Sequence, residues 1–190
     1  LAELIGCMQQ MSPGRGGWIL GRGWNQDFFA DVSRMPTRWD LDQVSTEFPV
    51  CAVRACGHAM VVNSKALELL NITKDTPHIP GGEIVLEAGI PNGILFDNAM
   101  DPVLNAIPAP DKETLKNYIR TACGERNRRG ITSCHSDDYC VFQNLPWEIV
   151  NQAFRDLEQT GELTVRVYEQ SNFADLKEFK RFVESGNVSG

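Results

Sequence analysis

The sequence predicts an α/β chain with two differently patterned regions, and two observations carry that prediction. Residues 111–190 alternate helix, strand, helix, strand and helix, the order typical of parallel βα units. Residues 12–108 mix short strands, turns and short helical segments, which is typical of an α+β arrangement. The pattern changes near Ile107–Pro110. We therefore expect an α+β subdomain with a preceding helix over residues 1–108 and βα units over residues 109–190.

The composition is that of a globular protein with enough apolar residues for a core. Of the 190 residues, 42% are apolar and 23% are charged. No apolar run approaches the roughly 20 residues that a membrane-spanning helix needs, so we expect no membrane partner. The net charge is −7. Because binding to nucleic acid depends on neutralising phosphates, an acidic chain without a basic stripe is not expected to bind it.

The six cysteines are expected to be reduced thiols in a cytoplasmic protein. The chain is longer than disulfide-stapled mini-proteins, and it shows no signal peptide. Two groups could form a structural zinc module. They are Cys51, Cys56 and His58, and Cys134, His135 and Cys140. Their gaps of four and five intervening residues fit poorly with the closer Cys pairs of structural zinc sites, so this alternative is less favoured.

The chain begins with a helical pattern, followed by a Gly/Trp segment and a polar stretch. Apolar residues recur at three-to-four spacing from Leu1 to Met11, which predicts an amphipathic helix. Trp18 to Trp24 is expected to be a strand end that passes into a loop. The segment from Arg38 to Glu47 is polar and is expected to cover the surface.

A strand, a capped helix and a hairpin are predicted next. The run 49–56 is a short apolar strand, and Asn63-Ser64 is expected to cap a helix over residues 65–70. The runs 83–87 and 93–96 are expected to form a hairpin. Its turn is placed at Asn92-Gly93, because that dipeptide tolerates positive φ angles.

The second region begins with a helix that Asp111 caps and Gly130 ends. A strand over residues 131–135, a loop over 136–145 and a helix from Pro146 to Thr160 follow. The chain then forms a strand over 163–168 and a last helix. The apolar residues that this helix is expected to bury are Leu176, Phe179, Phe182 and Val183.

The last predicted strand has two chemically different faces. Leu163, Val165 and Val167 alternate with polar residues, so Arg166 and Tyr168 point away from the helix-facing side. An open doubly wound sheet favours apolar residues on both faces, whereas the interior of a barrel accepts polar side chains near its functional mouth. The pattern therefore favours a barrel interior for Arg166, although an edge strand would also tolerate it.

The functional groups of βα proteins collect where strands meet the loops that follow them. His135 ends its predicted strand and opens the run Ser136-Asp137-Asp138. A histidine next to carboxylates can act as a metal ligand, a general base or an oriented hydrogen-bond partner, with a solvated loop histidine as the alternative. His58 follows a strand and Gly57, and Trp24 lies in the Gly-rich segment. Both could line a pocket, with a loop hydrogen bond and core packing as their respective alternatives.

Several sequence blocks in order resemble the amidohydrolase-3 branch of the amidohydrolase superfamily, predicted metal-dependent hydrolases that include N-substituted formamide deformylase. The most specific block runs from Pro49 to Leu67 and contains Arg-Ala-Cys-Gly-His and Asn-Ser-Lys-Ala-Leu. The other blocks begin at Gly17, Pro36, Gly81, Pro91 and Arg129, and together the blocks cover about residues 17–170.

The resemblance implies a metal-dependent hydrolase of C–N bonds in amide-like small molecules, built on a (β/α)₈ barrel. Residues 12–108 look like an α+β insertion of that branch, and residues 111–190 look like two βα units of an incomplete barrel. Such a barrel needs about 250 residues. We therefore expect this chain to be an internal fragment that is inactive in isolation and self-associates through open barrel edges.

The resemblance also implies where the catalytic groups would lie. The family's metal-binding histidines, lysine and aspartate would fall outside residues 1–190, so none is mapped onto this chain. A divalent metal, with zinc favoured, is expected in the complete enzyme and none in this chain. The pocket candidates that remain are His58, Trp24, His135, Asp137 and Arg166. The alternative function is a non-catalytic ligand-binding domain with a His58/Trp24 pocket.

Overall fold

The computed structural model describes residues 1–142, 144–173 and 175–186. Its contacts separate the chain into two units, Leu1–Pro108 and Ala109–Gly190. Across the described ranges, no helix is both long enough and apolar enough to cross a membrane.

The first unit is built on a five-stranded mixed sheet. Its strands are β1 (Ile19–Trp24), β2 (Val50–Arg54), β3 (Ala59–Val62), β4 (Gly82–Glu87) and β5 (Ile90–Asp97). Their spatial order is β1-β2-β3-β5-β4. β1 and β2 are parallel, and the other neighbouring strands are antiparallel. The helices of this unit are α1 (Ala2–Gln9), α2 (Arg38–Asp42), α3 (Ser64–Leu69) and α4 (Asp101–Ala106).

Both faces of this sheet are buried in its central strands. Side chains of a strand alternate between the two faces. In β2, Cys51 packs in one apolar cluster while Val50 and Ala52 pack in another. In β3, Val62 and Val61 divide between the same two clusters. The apolar residues of β2 and β3 are therefore consecutive rather than alternating with polar ones.

The hairpin of β4 and β5 forms, but the predicted turn at Asn92-Gly93 is wrong. The turn lies at Ala88-Gly89, where both residues have positive φ angles of 51° and 78°. Asn92 and Gly93 lie inside β5, and Gly93 has a φ of 91°. A Cβ atom at Gly93 would lie 2.4 Å from the Val62 carbonyl oxygen. Glycine is needed there for a close backbone approach.

Three other segments of this unit differ from the prediction. β1 continues as a strand through Trp24, where the sequence predicted a loop, because it pairs with β2 along its length. β3 is an additional strand. The predicted polar surface segment contains α2, in which Asp40 and Leu41 are buried. Asp40 is buried because its carboxylate forms a capping box with Thr37 and an ion pair with Arg34.

The second unit alternates helices with two short parallel strands along the chain. In chain order, its elements are α5 (Lys112–Arg128), β6 (Ser133–Ser136), α6 (Asp138–Val141), α7 (Trp147–Gln159), β7 (Arg166–Glu169) and α8 (Leu176–Glu184). The Asp111 side chain accepts a hydrogen bond from the Thr114 N–H, so it caps α5 as predicted. Leu115, Val150 and Val165 are among the buried residues that join the helices to the strands.

The predicted loop after β6 contains the short helix α6, and Gln143 of that loop lies outside the described residues. The prediction that α8 buries four apolar residues is wrong. Phe182 is buried against Trp147, but Leu176, Phe179 and Val183 are 65%, 38% and 56% exposed. From α8, the rings of Phe182 and Phe179 contact Phe173 of the aromatic cluster, with centroids 5.2 Å and 5.9 Å away.

Candidate functional site

The carboxyl ends of β6 and β7 lie side by side and bring polar side chains together. His135 is paired in register with Tyr168, and Ser136 with Glu169. The rings of His135 and Tyr168 are 4.9 Å apart between centroids. Because functional groups of parallel βα units collect at this end of the strands, this edge is the candidate functional site of the second unit.

Glu169 and Asp138 form a pair of carboxyl groups at this edge. The Asp138 N–H donates to Glu169 Oε1 at 2.5 Å, and Ser136 Oγ donates to Asp138 Oδ2 at 2.7 Å. Burial, together with the neighbouring Asp138 charge, raises the pKa of Glu169 to about 7. A carboxyl group with such a pKa can hold or release a proton near neutral pH.

Asp137 directly precedes Asp138 at this edge. The Asn172 amide donates to Asp137 Oδ2 at 3.1 Å. Its Oδ1 is buried and has no hydrogen-bond partner among the described residues. The Cys140 thiol donates to the Asp137 carbonyl at 3.5 Å, and burial raises the pKa of that thiol to about 11. Cys140 is therefore a neutral thiol at this edge.

Arg166 lines the larger of two cavities beside these strands. It begins β7, is exposed, and donates to Thr132 Oγ1 at 3.3 Å. The cavity has a volume of about 680 Å³ and is also lined by Glu169, Tyr139 and Phe182. A second cavity of about 200 Å³ is lined by His135 and Asp138. Arg166 and Glu169 thus share one cavity, and His135 lines the other.

The two site candidates of the first unit have different surroundings. Trp24 is 5% exposed, and its indole N–H donates to the Ala52 carbonyl at 3.0 Å, so the ring packs in the core. The His58 side chain is 80% exposed, and its Nδ1 lies 3.0 Å from Asp97 Oδ1. His58 therefore presents its ring to solvent in the turn between β2 and β3. Among the described residues, Trp24 and His58 thus have different hydrogen-bond partners, Ala52 and Asp97.

The sequence did not single out Glu169 or Asp97. Glu169 lies one residue beyond the predicted end of its strand, and its position at a strand's carboxyl end was the available signal. Asp97 pairs with His58 across 39 positions of sequence. No local pattern could show that pairing.

The described residues do not assemble a metal site of their own. Within residues 1–142, 144–173 and 175–186, no three His, Cys, Asp or Glu side chains form a group that could hold a metal ion. In the first zinc candidate, Cys51 is fully buried with its Sγ 3.8 Å from Met60 Sδ, whereas Cys56 is exposed. These residues therefore do not fit the divalent metal that the sequence resemblance implies for a complete enzyme.

Comparison with known proteins decides the family. The model of the amidohydrolase family matches residues 6–189, nearly the whole chain. The chain belongs to the amidohydrolase family. This amidohydrolase chain is 37% identical over 129 residues to the putative amidohydrolase YtcJ of Bacillus subtilis, covering 67% of the chain and 24% of that protein. It is 36% identical over 92 residues to the N-substituted formamide deformylase of Arthrobacter pascens, covering 48% of the chain and 16% of that protein.

Two solved structures share the fold of this amidohydrolase chain. Both are uncharacterised metal-dependent hydrolases, one from Pyrococcus horikoshii and one from Pyrococcus furiosus, and each is 26% identical to it. The first has a TM-score of 0.60 over 97% of this chain and 33% of that structure. The second has a TM-score of 0.57 over 100% of this chain and 35% of that structure. The chain thus spans about a third of the length of each solved structure and a quarter or less of the length of the two curated relatives. The family suggests a divalent metal.

Proposed function

We propose that this chain forms part of a metal-dependent hydrolase that cleaves C–N bonds in amide-like small molecules. The observation that carries the proposal is the family match over residues 6–189. The substrate class follows the name of one relative, an N-substituted formamide deformylase. The first unit would serve as an α+β insertion, and the second as two βα units of a (β/α)₈ barrel.

The chain's own contribution lies at the carboxyl ends of β6 and β7. In a barrel of parallel strands this end forms the functional mouth. His135 and Asp137 lie there as candidate substrate contacts, and Arg166 lines the cavity beside them. Their chemistry suits an amide: Arg166 can donate to a carbonyl oxygen, and carboxylates can accept from N–H groups.

The metal would be held by residues beyond those described. A divalent ion in the complete enzyme would supply an activated water and polarise the substrate carbonyl. The described side chains do not form a group that fits this ion. Their proposed part is therefore to bind and orient the substrate, and the 190 residues alone are not expected to catalyse hydrolysis.

The test assays the purified chain for hydrolysis of N-substituted formamides and cyclic amides, with and without added Zn²⁺. The metal content of the same chain is measured by mass spectrometry. We expect neither turnover nor one bound ion per chain. A longer family protein that contains these residues is expected to hydrolyse such amides. One tightly bound ion together with amidase activity in the pure chain would refute the proposal that other residues hold the metal. A longer protein inactive on every amide would refute the proposed substrate class.

A further inference from the structure

Glu169 links the end of β7 to the segment that follows β6. It is the last residue of β7 and is paired in register with Ser136. Its carboxyl group accepts from the backbone N–H of Asp138 at 2.5 Å and also from that of Tyr139. One side chain therefore connects the strand end to the first two residues of α6.

This connection places two carboxyl groups against each other in a partly buried position. The Asp138 carboxylate lies close enough to the Glu169 carboxyl group for its charge to raise the pKa of Glu169. Glu169 Oε2 is buried and has no hydrogen-bond donor among the described residues. Two ionised carboxylates in such a contact would repel each other and would also lose hydration. A proton between them removes the repulsion and converts the contact into an O–H···O hydrogen bond.

The other ionisable groups around Glu169 do not remove this conflict. They lie just before and on α6, on α7 and on β7 itself, and His135 of β6 lines the smaller cavity with Asp138. They are Asp137, Tyr139, Cys140, Arg155, Glu158, Arg166 and Tyr168. Arg155 and Arg166 line the same cavity as Glu169. The backbone N–H groups of Asp138 and Tyr139 favour the ionised carboxylate, but burial and the Asp138 charge outweigh them and raise the pKa of Glu169.

We propose that Glu169 and Asp138 share one proton near neutral pH and that this proton fastens α6 to the end of β7. The device is a pH-sensitive clamp at the carboxyl ends of the parallel strands. It operates whether or not the chain belongs to a C–N hydrolase, because it depends on contacts within the second unit alone.

The direction of the pH effect follows from linkage. The pKa of Glu169 is raised from an ordinary value of 4.5 to about 7 in the folded chain. Between those values the folded state holds a proton that the unfolded chain has released. The stability that this proton contributes is fully present below about pH 4.5 and is lost as the pH rises through about 7. Alkaline conditions should therefore loosen α6 from β7.

The test uses the full chain labelled with ¹³C at its glutamate side-chain carboxyl groups and titrated by NMR. We expect one glutamate resonance with a midpoint near 7. It should disappear in Glu169→Gln and remain in Glu158→Gln, a matched change of an exposed glutamate beside the same cavity. Asp138→Asn should move the midpoint lower, because it removes the neighbouring charge.

Hydrogen exchange supplies the structural readout. The protection factors of the Asp138 and Tyr139 amides, corrected for the intrinsic rate at each pH, should fall by several-fold between pH 6 and pH 8.5. They should stay constant in Glu169→Gln, whose neutral amide keeps both an acceptor and a donor. The proposal is overturned if all glutamates titrate near their ordinary value. It is also overturned if protection in the unmodified chain does not change with pH. The wild-type titration decides this even if a variant does not fold.

Discussion

At the scale of single residues, the turn between β2 and β3 gives one thiol an unusual environment. Cys56 is exposed, and the His58 backbone N–H donates to its sulfur at 3.4 Å. That hydrogen bond, with a smaller contribution from Arg54, lowers the pKa of the Cys56 thiol. In contrast, full burial raises the pKa of Cys51 to about 12. Since the thiolate is the reactive form, exposure and a lowered pKa favour the same residue.

We predict that Cys56 reacts before the other thiols with a disulfide reagent such as Ellman's reagent at pH 7. Cys7 is the matched comparison, because it is also exposed but lies on α1. The fast phase of labelling should be lost in Cys56→Ser and kept in Cys7→Ser. Peptide mass mapping after brief labelling checks the site. A fast phase that disappears with Cys7→Ser would contradict the prediction.

At the scale of elements, β5 depends on a glycine that the sequence assigned to the wrong place. Gly93 lies inside β5 with a positive φ, and a Cβ there would also lie 2.9 Å from the Arg38 backbone nitrogen. Gly89, in the turn before β5, also has a positive φ, but nothing lies within 4 Å of its Cβ position. The two glycines therefore separate the effect of backbone conformation from that of close approach.

We predict that Gly93→Ala destabilises the chain more than Gly89→Ala does. Both changes place alanine at a positive φ, which costs about 1–2 kcal/mol. Gly93→Ala adds overpacking against Val62 and Arg38, which costs about 1–3 kcal/mol more. Urea denaturation followed by circular dichroism measures the difference in the free energy of unfolding. Equal losses of unfolding free energy in the two variants would show that the residues around Gly93 move to accommodate the added Cβ without cost.

The features that the sequence predicted well are those that depend on neighbours along the chain. Asn63 was placed as a helix cap, and its Oδ1 accepts from the Ala66 N–H at 3.0 Å. The same side chain also donates to the carbonyls of Ser45 and Phe48, which join α3 to a segment 15 to 18 positions away. The cap can be predicted because it depends only on neighbouring residues. The contacts with the Ser45 and Phe48 carbonyls cannot, because they form only when the chain folds.

The errors have the same physical origin. Asn92-Gly93 has the chemistry of a turn, but the contact with Val62 that explains Gly93 is made across the sheet. Glu169 acquires its role from Asp138, which lies 31 positions earlier in the chain. Similarly, the apolar spacing of α8 showed which face is hydrophobic, but spacing does not show what covers that face.

At the scale of the whole molecule, the second unit exposes surfaces that globular proteins usually cover. Among the described residues, β6 and β7 pair only with each other, so each has a free edge. Parallel sheets are normally covered on both faces, and free edges favour pairing with another chain. On α8, Leu176 and Val183 add exposed apolar surface. Both kinds of surface favour association, and we propose that in the isolated chain a second copy covers them.

We predict that the purified chain self-associates and that Leu176→Lys combined with Val183→Lys weakens the association. Multi-angle light scattering should show a mass that rises with concentration above 21.2 kDa, and a smaller rise in the double variant. Leu69→Lys, on α3 of the first unit and 58% exposed, is the control for adding charge elsewhere.

A monomer at every concentration would exclude the proposal. If Leu69→Lys weakened association equally, net charge rather than the α8 face would be the cause. If the double variant associated as strongly as the unmodified chain, the free strand edges would drive assembly without α8, because lysines on that helix leave the backbone N–H and C=O groups of β6 and β7 unchanged.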